Sequence, residues 1–224
     1  MCALRMISLV TVLIGCCVMS LPAQQEQYPF ENEIMAYRAV DRKAMPAPGG
    51  TLFIGSSSIR LWEDLEQRFA KEPIIKRGVG GCQLAHFVDH YLDSIVFPYQ
   101  ARKIFVYAGE NDIASGQHSA EQVAENFRKL YGALLEHNPK VKIYYLSIKP
   151  SSSRLQWQDS FAKANQLIER FLGDEEKGEF IDVGTVLIGT DGMPDDTLFR
   201  EDRLHLNKQG YDCWEKVLRP YVEF

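Results

Sequence analysis

Ser57 ends the run Thr51-Leu52-Phe53-Ile54-Gly55-Ser56-Ser57, where a short apolar segment gives way to a glycine and serines. A serine at the turn from a buried strand into a helix presents its hydroxyl to solvent beside free backbone N–H groups. That is a setting for a nucleophile with oxyanion donors close by. The same place suits a serine that caps the helix or a loop that cradles phosphate. Late in the chain, Asp202-Arg203-Leu204-His205 puts a carboxylate three residues before an imidazole, close enough to orient its ring in a turn. Such a pair is a general base when it reaches a nucleophile and an ordinary surface pair when it does not. Between these segments lie two further turns, Gly78-Val79-Gly80-Gly81 and Gly109-Glu110-Asn111-Asp112.

The elements that must position these residues follow from periodicity. A helix is predicted over 31–44, ended by Met45-Pro46-Ala47-Pro48-Gly49-Gly50, whose prolines and glycines cannot continue it. A strand at 51–54 leads through the serine turn into an amphipathic helix over 59–69. The unit then recurs: strands at 73–76, 103–107, 141–148 and 179–183 each precede a helix, the later helices falling at 154–172 and 207–218. Leu84, Phe87, Val88, Tyr91, Leu92 and Ile95 share one helical face, as do Val123, Ala124, Phe127, Leu130, Tyr131 and Leu134; both stripes are packing faces. Trp62 and Trp214 fall on similar stripes and are read as core. Alternating strands and helices imply a three-layer α/β/α sandwich around a mostly parallel five-stranded sheet, with ligands bound beyond the carboxyl ends of the strands. The Ser57, Gly81 and Asn111 turns, each following a strand, belong at that end.

Taken together and in the order Ser, Gly, Asn, His, these turns resemble the four sequence blocks of the SGNH, or GDSL-type, hydrolases. The blocks are Phe53-Ile54-Gly55-Ser56-Ser57, Arg77-Gly78-Val79-Gly80-Gly81, Gly109-Glu110-Asn111-Asp112 and Asp202-Arg203-Leu204-His205-Leu206. The nearest pattern is that of the platelet-activating-factor acetylhydrolase catalytic subunits and related small bacterial esterases. The resemblance implies a flavodoxin-like SGNH hydrolase fold over 51–224, with Ser57 as nucleophile, His205 as base and Asp202 as the residue orienting it. It also implies an oxyanion hole made by the backbone N–H groups of Ser57 and Gly81 and the side chain of Asn111. Where the family reads Gly-Asp-Ser, this chain has Gly55-Ser56-Ser57, so Ser57 rather than Ser56 or Ser58 is singled out by alignment to Gly55. The implied reaction cleaves a carboxylic ester through an acyl-enzyme and needs no cofactor and no metal; the resemblance leaves the substrate open, and export with a compact chain points to small acyl groups, such as acetyl esters of sugars or short-chain lipids. A phosphate- or glycan-binding module or a pseudoenzyme on the same fold is the alternative.

Composition agrees with a small-molecule partner. The chain has 224 residues, 46% of them hydrophobic, with 25 Lys+Arg against 30 Asp+Glu and a net charge of −5. It is long enough for one sizeable domain, and it lacks the cationic runs that nucleic acid requires. Residues 1–23 read as a signal peptide: one arginine, an apolar stretch over 6–21, then Pro22-Ala23. Export to the periplasm or the medium follows, with lipidation at Cys16 in Leu13-Ile14-Gly15-Cys16 as the alternative. Of five cysteines, only Cys82 and Cys213 lie beyond this segment, and they are read as free thiols. His86 and His90, flanked by Asp89 and Asp93, are read as polar-face residues and not metal ligands. His118 and His137 are read as surface residues. Arg154 and Trp157, just beyond the fourth strand, are candidates to contact substrate through an anion contact and a flat apolar wall.

Overall fold

The computed structural model of the protein describes residues 28–223, so the signal peptide read over 1–23 and Cys16 lie outside the described residues. A first helix, α1 (Glu31–Asp41), precedes β1 (Thr51–Gly55), α2 (Ser57–Arg60) and α3 (Leu65–Arg68). Then come β2 (Ile74–Gly78) and a helical segment made of α4 (Leu84–His86), a π-helical turn at Phe87–Tyr91 and α5 (Leu92–Ile95). β3 (Lys103–Tyr107), α6 (Glu110–Ala114) and α7 (Ala120–His137) lead to β4 (Lys142–Leu146). A 3-10 segment at Ser152–Trp157 runs into α8 (Gln158–Gly173), followed by β5 (Gly178–Ile181) and α9 (Lys208–Val222).

The five strands form one sheet in the order β2-β1-β3-β4-β5, every pair parallel. Strand side chains alternate between two cores, as the period of two requires. Leu52, Ile54, Ile104, Val106, Ile143 and Tyr145 point into the layer of α1, α5, α7 and α8. Phe53, Phe105, Tyr144 and Leu146 point into the layer of Trp62, Leu65 and α9. On that second face the registered residues Phe53, Phe105 and Tyr144 stack with centroids 4.6 and 4.5 Å apart, an aromatic ladder across three neighbouring strands. Trp62 and Trp214 are fully buried there. Cys82 belongs to the first core and Cys213 packs against the second, on opposite sides of the sheet, and both are free.

Two helices depart from their sequence reading. The continuous helix expected over 59–69 is broken into α2 and α3. The carbonyl of Trp62 accepts from Lys76 Nζ at 2.8 Å and that of Leu61 from Arg200, so bonds from distant side chains replace the helical ladder there. Arg68 then ties α3 to α9 through Asp212 and Glu215, both at 2.6 Å. The helix expected from 154 starts as a 3-10 turn, with Arg154 at φ −124°, and becomes regular only at Gln158.

Candidate active site

β1 ends against β3 so closely that a Cβ on Gly55 would lie 2.1 Å from the Tyr107 carbonyl oxygen, and the backbone there has φ +148°. Only glycine fits both constraints. The turn that follows buries two of the three serines, Ser56 at 2% and Ser58 at 1% exposure. It leaves Ser57 half-buried, with its Oγ 2.9 Å from His205 Nε2. Ser58 offers its backbone carbonyl to the Tyr211 hydroxyl, and Ser56 gives its backbone N–H to the Tyr107 carbonyl.

His205 is held from behind. Its Nδ1 lies 2.6 Å from Asp202 Oδ2, and the other carboxylate oxygen accepts the backbone N–H groups of Leu204 and His205, each at 2.9 Å. This turn needs a left-handed residue, Arg203 at φ +52°. It sits at the tip of a small hairpin closed by the antiparallel bridge of Phe199 with Leu206 and by the Arg200 N–H to the His205 carbonyl at 2.7 Å. Asn207 secures the base of the hairpin: its Oδ1 caps α9 by accepting from Gln209 and Gly210, and its Nδ2 donates to the carbonyls of Thr197 and Phe199. Burial alone would raise the Asp202 pKa, but the bonds from the His205 backbone, its ring and the Leu204 N–H outweigh it and hold the carboxyl at about 2. The side chain is therefore ionised throughout the neutral range, facing Nδ1.

The two other turns meet at the end of β1, where the Val79 N–H and the Cys82 thiol donate to the Gly55 carbonyl. Gly81, at φ +77°, follows β2, and the side chain of Asn111 at the start of α6 donates to the Cys82 carbonyl at 3.1 Å. One N–H of that amide thus locks its plane to the Gly81 loop, and the amide carries a second N–H. Beneath Asn111 lies a polar network that sequence reasoning missed. Lys149, completely buried, pairs with both oxygens of Glu110 at 3.2 and 3.0 Å, and the Tyr107 hydroxyl donates to Glu110 at 2.7 Å. The Lys149 ammonium also lies over the rings of Tyr107 and Phe199, 5.9 and 6.0 Å from their centroids. It thereby links the Asn111 helix to the hairpin of His205. A lysine closing the apolar run of β4 was the available signal. Asp112, also buried, accepts the Leu84 N–H at 3.0 Å, and desolvation pushes its pKa up to about 6.

Of the remaining candidates, Arg154 sits in the 3-10 segment after β4, which is joined to the His205 turn by the Ser153 N–H to the Arg203 carbonyl. Its Nε is buried without a hydrogen-bond partner. Trp157 is partly buried and packs against the first core. His86 accepts the Gln83 N–H, His90 stacks on Tyr28, and the exposed His137 stacks on Phe97. His118 is only part-exposed, its Nδ1 buried.

Residues 49–213 match the family described as GDSL-like lipase/acylhydrolase. The chain belongs to this family. As a GDSL-like acylhydrolase it is a hydrolase of small-molecule esters. Among curated proteins, none matches the sequence. Among solved structures, one from Streptococcus pneumonia, named for platelet activating factor, is 25% identical with a TM-score of 0.75, over 86% of this chain and 92% of that one. A GDSL-like lipase from Bacteroides thetaiotaomicron is 19% identical with a TM-score of 0.70, over 87% of this chain and 98% of that one. An acetyl-xylooligosaccharide esterase from Geobacillus Stearmophilus shares the fold at 12% identity and a TM-score of 0.60, over 80% of this chain and 96% of that one.

Proposed function

We propose that the protein is an exported serine esterase in which Ser57 is the nucleophile, His205 the base and Asp202 the residue that orients it. The observation that carries this reading is the unbroken chain of contacts from Ser57 Oγ to His205 Nε2 at 2.9 Å and from His205 Nδ1 to Asp202 at 2.6 Å. A serine hydroxyl is a poor nucleophile near its free pKa, and the imidazole in hydrogen-bond reach supplies the missing base. The ionised Asp202 keeps the Nδ1 proton in place, leaving the Nε2 lone pair facing Ser57.

In this reading Oγ attacks the ester carbonyl as His205 takes its proton. The negative charge on the carbonyl oxygen is met by the Ser57 and Gly81 N–H groups and the Asn111 amide. Collapse of the tetrahedral intermediate expels the alcohol, which receives the proton from His205, and leaves an acyl group on Ser57. Water, deprotonated by His205, attacks that acyl group by the same route and releases the acid. In the same reading Arg154 contacts the substrate beyond the His205 turn, which the Ser153 N–H to the Arg203 carbonyl supports.

The acetyl esterase named among the similar folds supports acetylated sugars as the substrate class, and residues 1–23, or lipidation at Cys16, take the enzyme to an extracytoplasmic site where such esters occur. The test compares the protein with its Ser57→Ala variant on p-nitrophenyl acetate and on acetylated xylo-oligosaccharides. Wild type is expected to release acetate from both and the variant to lose about 10⁴-fold or more in kcat. A folded wild type inert on both substrates, or a variant of undiminished activity, contradicts the proposal.

A further inference from the structure

α1 does more than cover the sheet. Its Glu33 carboxylate accepts the Gly80 N–H at 2.9 Å, and its Tyr37 hydroxyl donates to the Gly78 carbonyl at 2.6 Å, so the helix grips the loop that carries Gly81. At the start of α1, Phe30 adopts φ +58°, in the left-handed region that a bulky residue rarely enters. The preceding residues are pinned to the π-helical turn: the Tyr91 hydroxyl donates to the Pro29 carbonyl at 2.6 Å, and the Tyr28 ring stacks on His90 at 5.5 Å. So held, the Phe30 ring lies on Gly81, with two ring carbons 3.1 and 3.3 Å from where a Cβ of that residue would stand. It is nevertheless 40% exposed. A phenyl ring fixed in an unfavourable backbone conformation, in contact with Gly81 and open to solvent, has a free apolar face.

The side of the site it occupies follows from the layers. His205 arrives on the hairpin leading into α9, which covers one face of the sheet, and Phe30 arrives on α1, which packs on the other through Ile34. If Ser57 attacks as proposed above, the leaving oxygen must face His205 Nε2 to collect its proton, and the carbonyl oxygen must face Gly81 and Asn111. The remaining substituent, the acyl chain, is then directed away from His205 toward α1. Resting on that serine-esterase reading, we infer that Phe30 is the wall of the acyl site and a specificity-determining residue: its ring meets the first carbons of the acyl chain and restricts the enzyme to short acyl groups.

The experiment measures kcat/KM for p-nitrophenyl acetate, butyrate and hexanoate with wild type and the Phe30→Ala, Phe30→Leu and Phe30→Trp variants. It also measures a second acetate ester with a different alcohol. Each protein is further labelled with an organophosphonate to report a competent Ser57. In Phe30→Ala the butyrate-to-acetate ratio is expected to rise by about tenfold, the discrimination that one or two methylenes carry in an apolar pocket. Phe30→Leu is expected to fall between Ala and wild type, and Phe30→Trp to lower the ratio, while preference between alcohols stays put. Labelled variants whose acyl ratios match wild type overturn the inference and leave the esterase reading standing, as does a change confined to the alcohol preference. Absence of labelling and turnover in folded wild type strikes the esterase reading itself. Should Phe30→Ala not fold, the Leu and Trp variants decide by the same ratios.

Discussion

Replacing Asp202 by asparagine changes one atom type at the back of the imidazole proposed as the base and little else. The amide oxygen can still accept the Leu204 and His205 N–H groups that shape the turn. The group facing His205 Nδ1 at 2.6 Å becomes an N–H donor. Nδ1 must then be the unprotonated nitrogen, which puts the ring proton on Nε2, pointing at Ser57 Oγ, so the serine loses its base. The imidazolium formed during attack also loses its counter-charge. Two unit charges about 4 Å apart attract by about 4 kcal/mol at an effective dielectric of about 20, and solvent on the nearly half-exposed carboxylate cuts that roughly in half. With about 2 kcal/mol more for the inverted tautomer, the loss comes to about 4 kcal/mol, or about 10³-fold in kcat. KM for p-nitrophenyl acetate is expected to stay within about threefold, since Asp202 meets His205 and not the ester. Steady-state kinetics near neutral pH, with a thermal melt to show that the turn survives, make the measurement. A folded Asp202→Asn variant with kcat within about tenfold of wild type refutes the role assigned to this carboxylate.

Other expectations follow from the same geometry. Asn111→Ala removes one donor of the proposed oxyanion hole and is expected to lower kcat by about 10²- to 10³-fold with little change in KM; equal losses in both parameters, measured on p-nitrophenyl acetate, count against it. Asp112 ionises near 3.8 when unfolded and near 6 when folded, so between those values the folded state holds a proton that the unfolded state has lost. Stability contributed by that proton is fully present below about pH 4 and is lost as pH rises through 6, by about 3 kcal/mol in all. Urea unfolding of Asp112→Asn across this window should show a correspondingly flatter pH dependence. Lys149→Met strands Glu110 as an unpaired buried charge and is expected to destabilise by about 3 to 5 kcal/mol. The double variant with Glu110→Gln should recover most of that in chemical denaturation, and additive losses would show that the pair is not coupled.

The parts of this fold that were legible in the sequence are those encoded locally. The apolar runs of β1 and β3, the stripes of α7 and α9, and the short turns holding Ser57 and the Asp202-to-His205 spacing depend on neighbours a few positions away. The parallel pairing of the sheet follows once strands and helices alternate. What was not legible depends on partners set far apart in sequence. Glu33 and Gly80 are 47 residues apart, and Lys149 and Glu110 are 39 apart. No periodicity announces that a carboxylate on α1 will hold a backbone N–H after β2, or that the unassigned glutamate of Gly109-Glu110-Asn111-Asp112 will find a buried lysine after β4. The break between α2 and α3 was hidden for the same reason, because Lys76 and Arg200 bind the Trp62 and Leu61 carbonyls from other parts of the chain. Phe30 lay just ahead of the helix expected over 31–44 and carried no role until the fold laid it on Gly81.

The most direct test of the account is peptide mapping by mass spectrometry after treating the protein with an organophosphonate. The account predicts one adduct, on the Ser57 hydroxyl, formed in wild type and slowed by about 10³-fold in Asp202→Asn, as hydrolysis is. An adduct on Ser56, Ser58 or another residue, or a folded protein that takes no label, contradicts it.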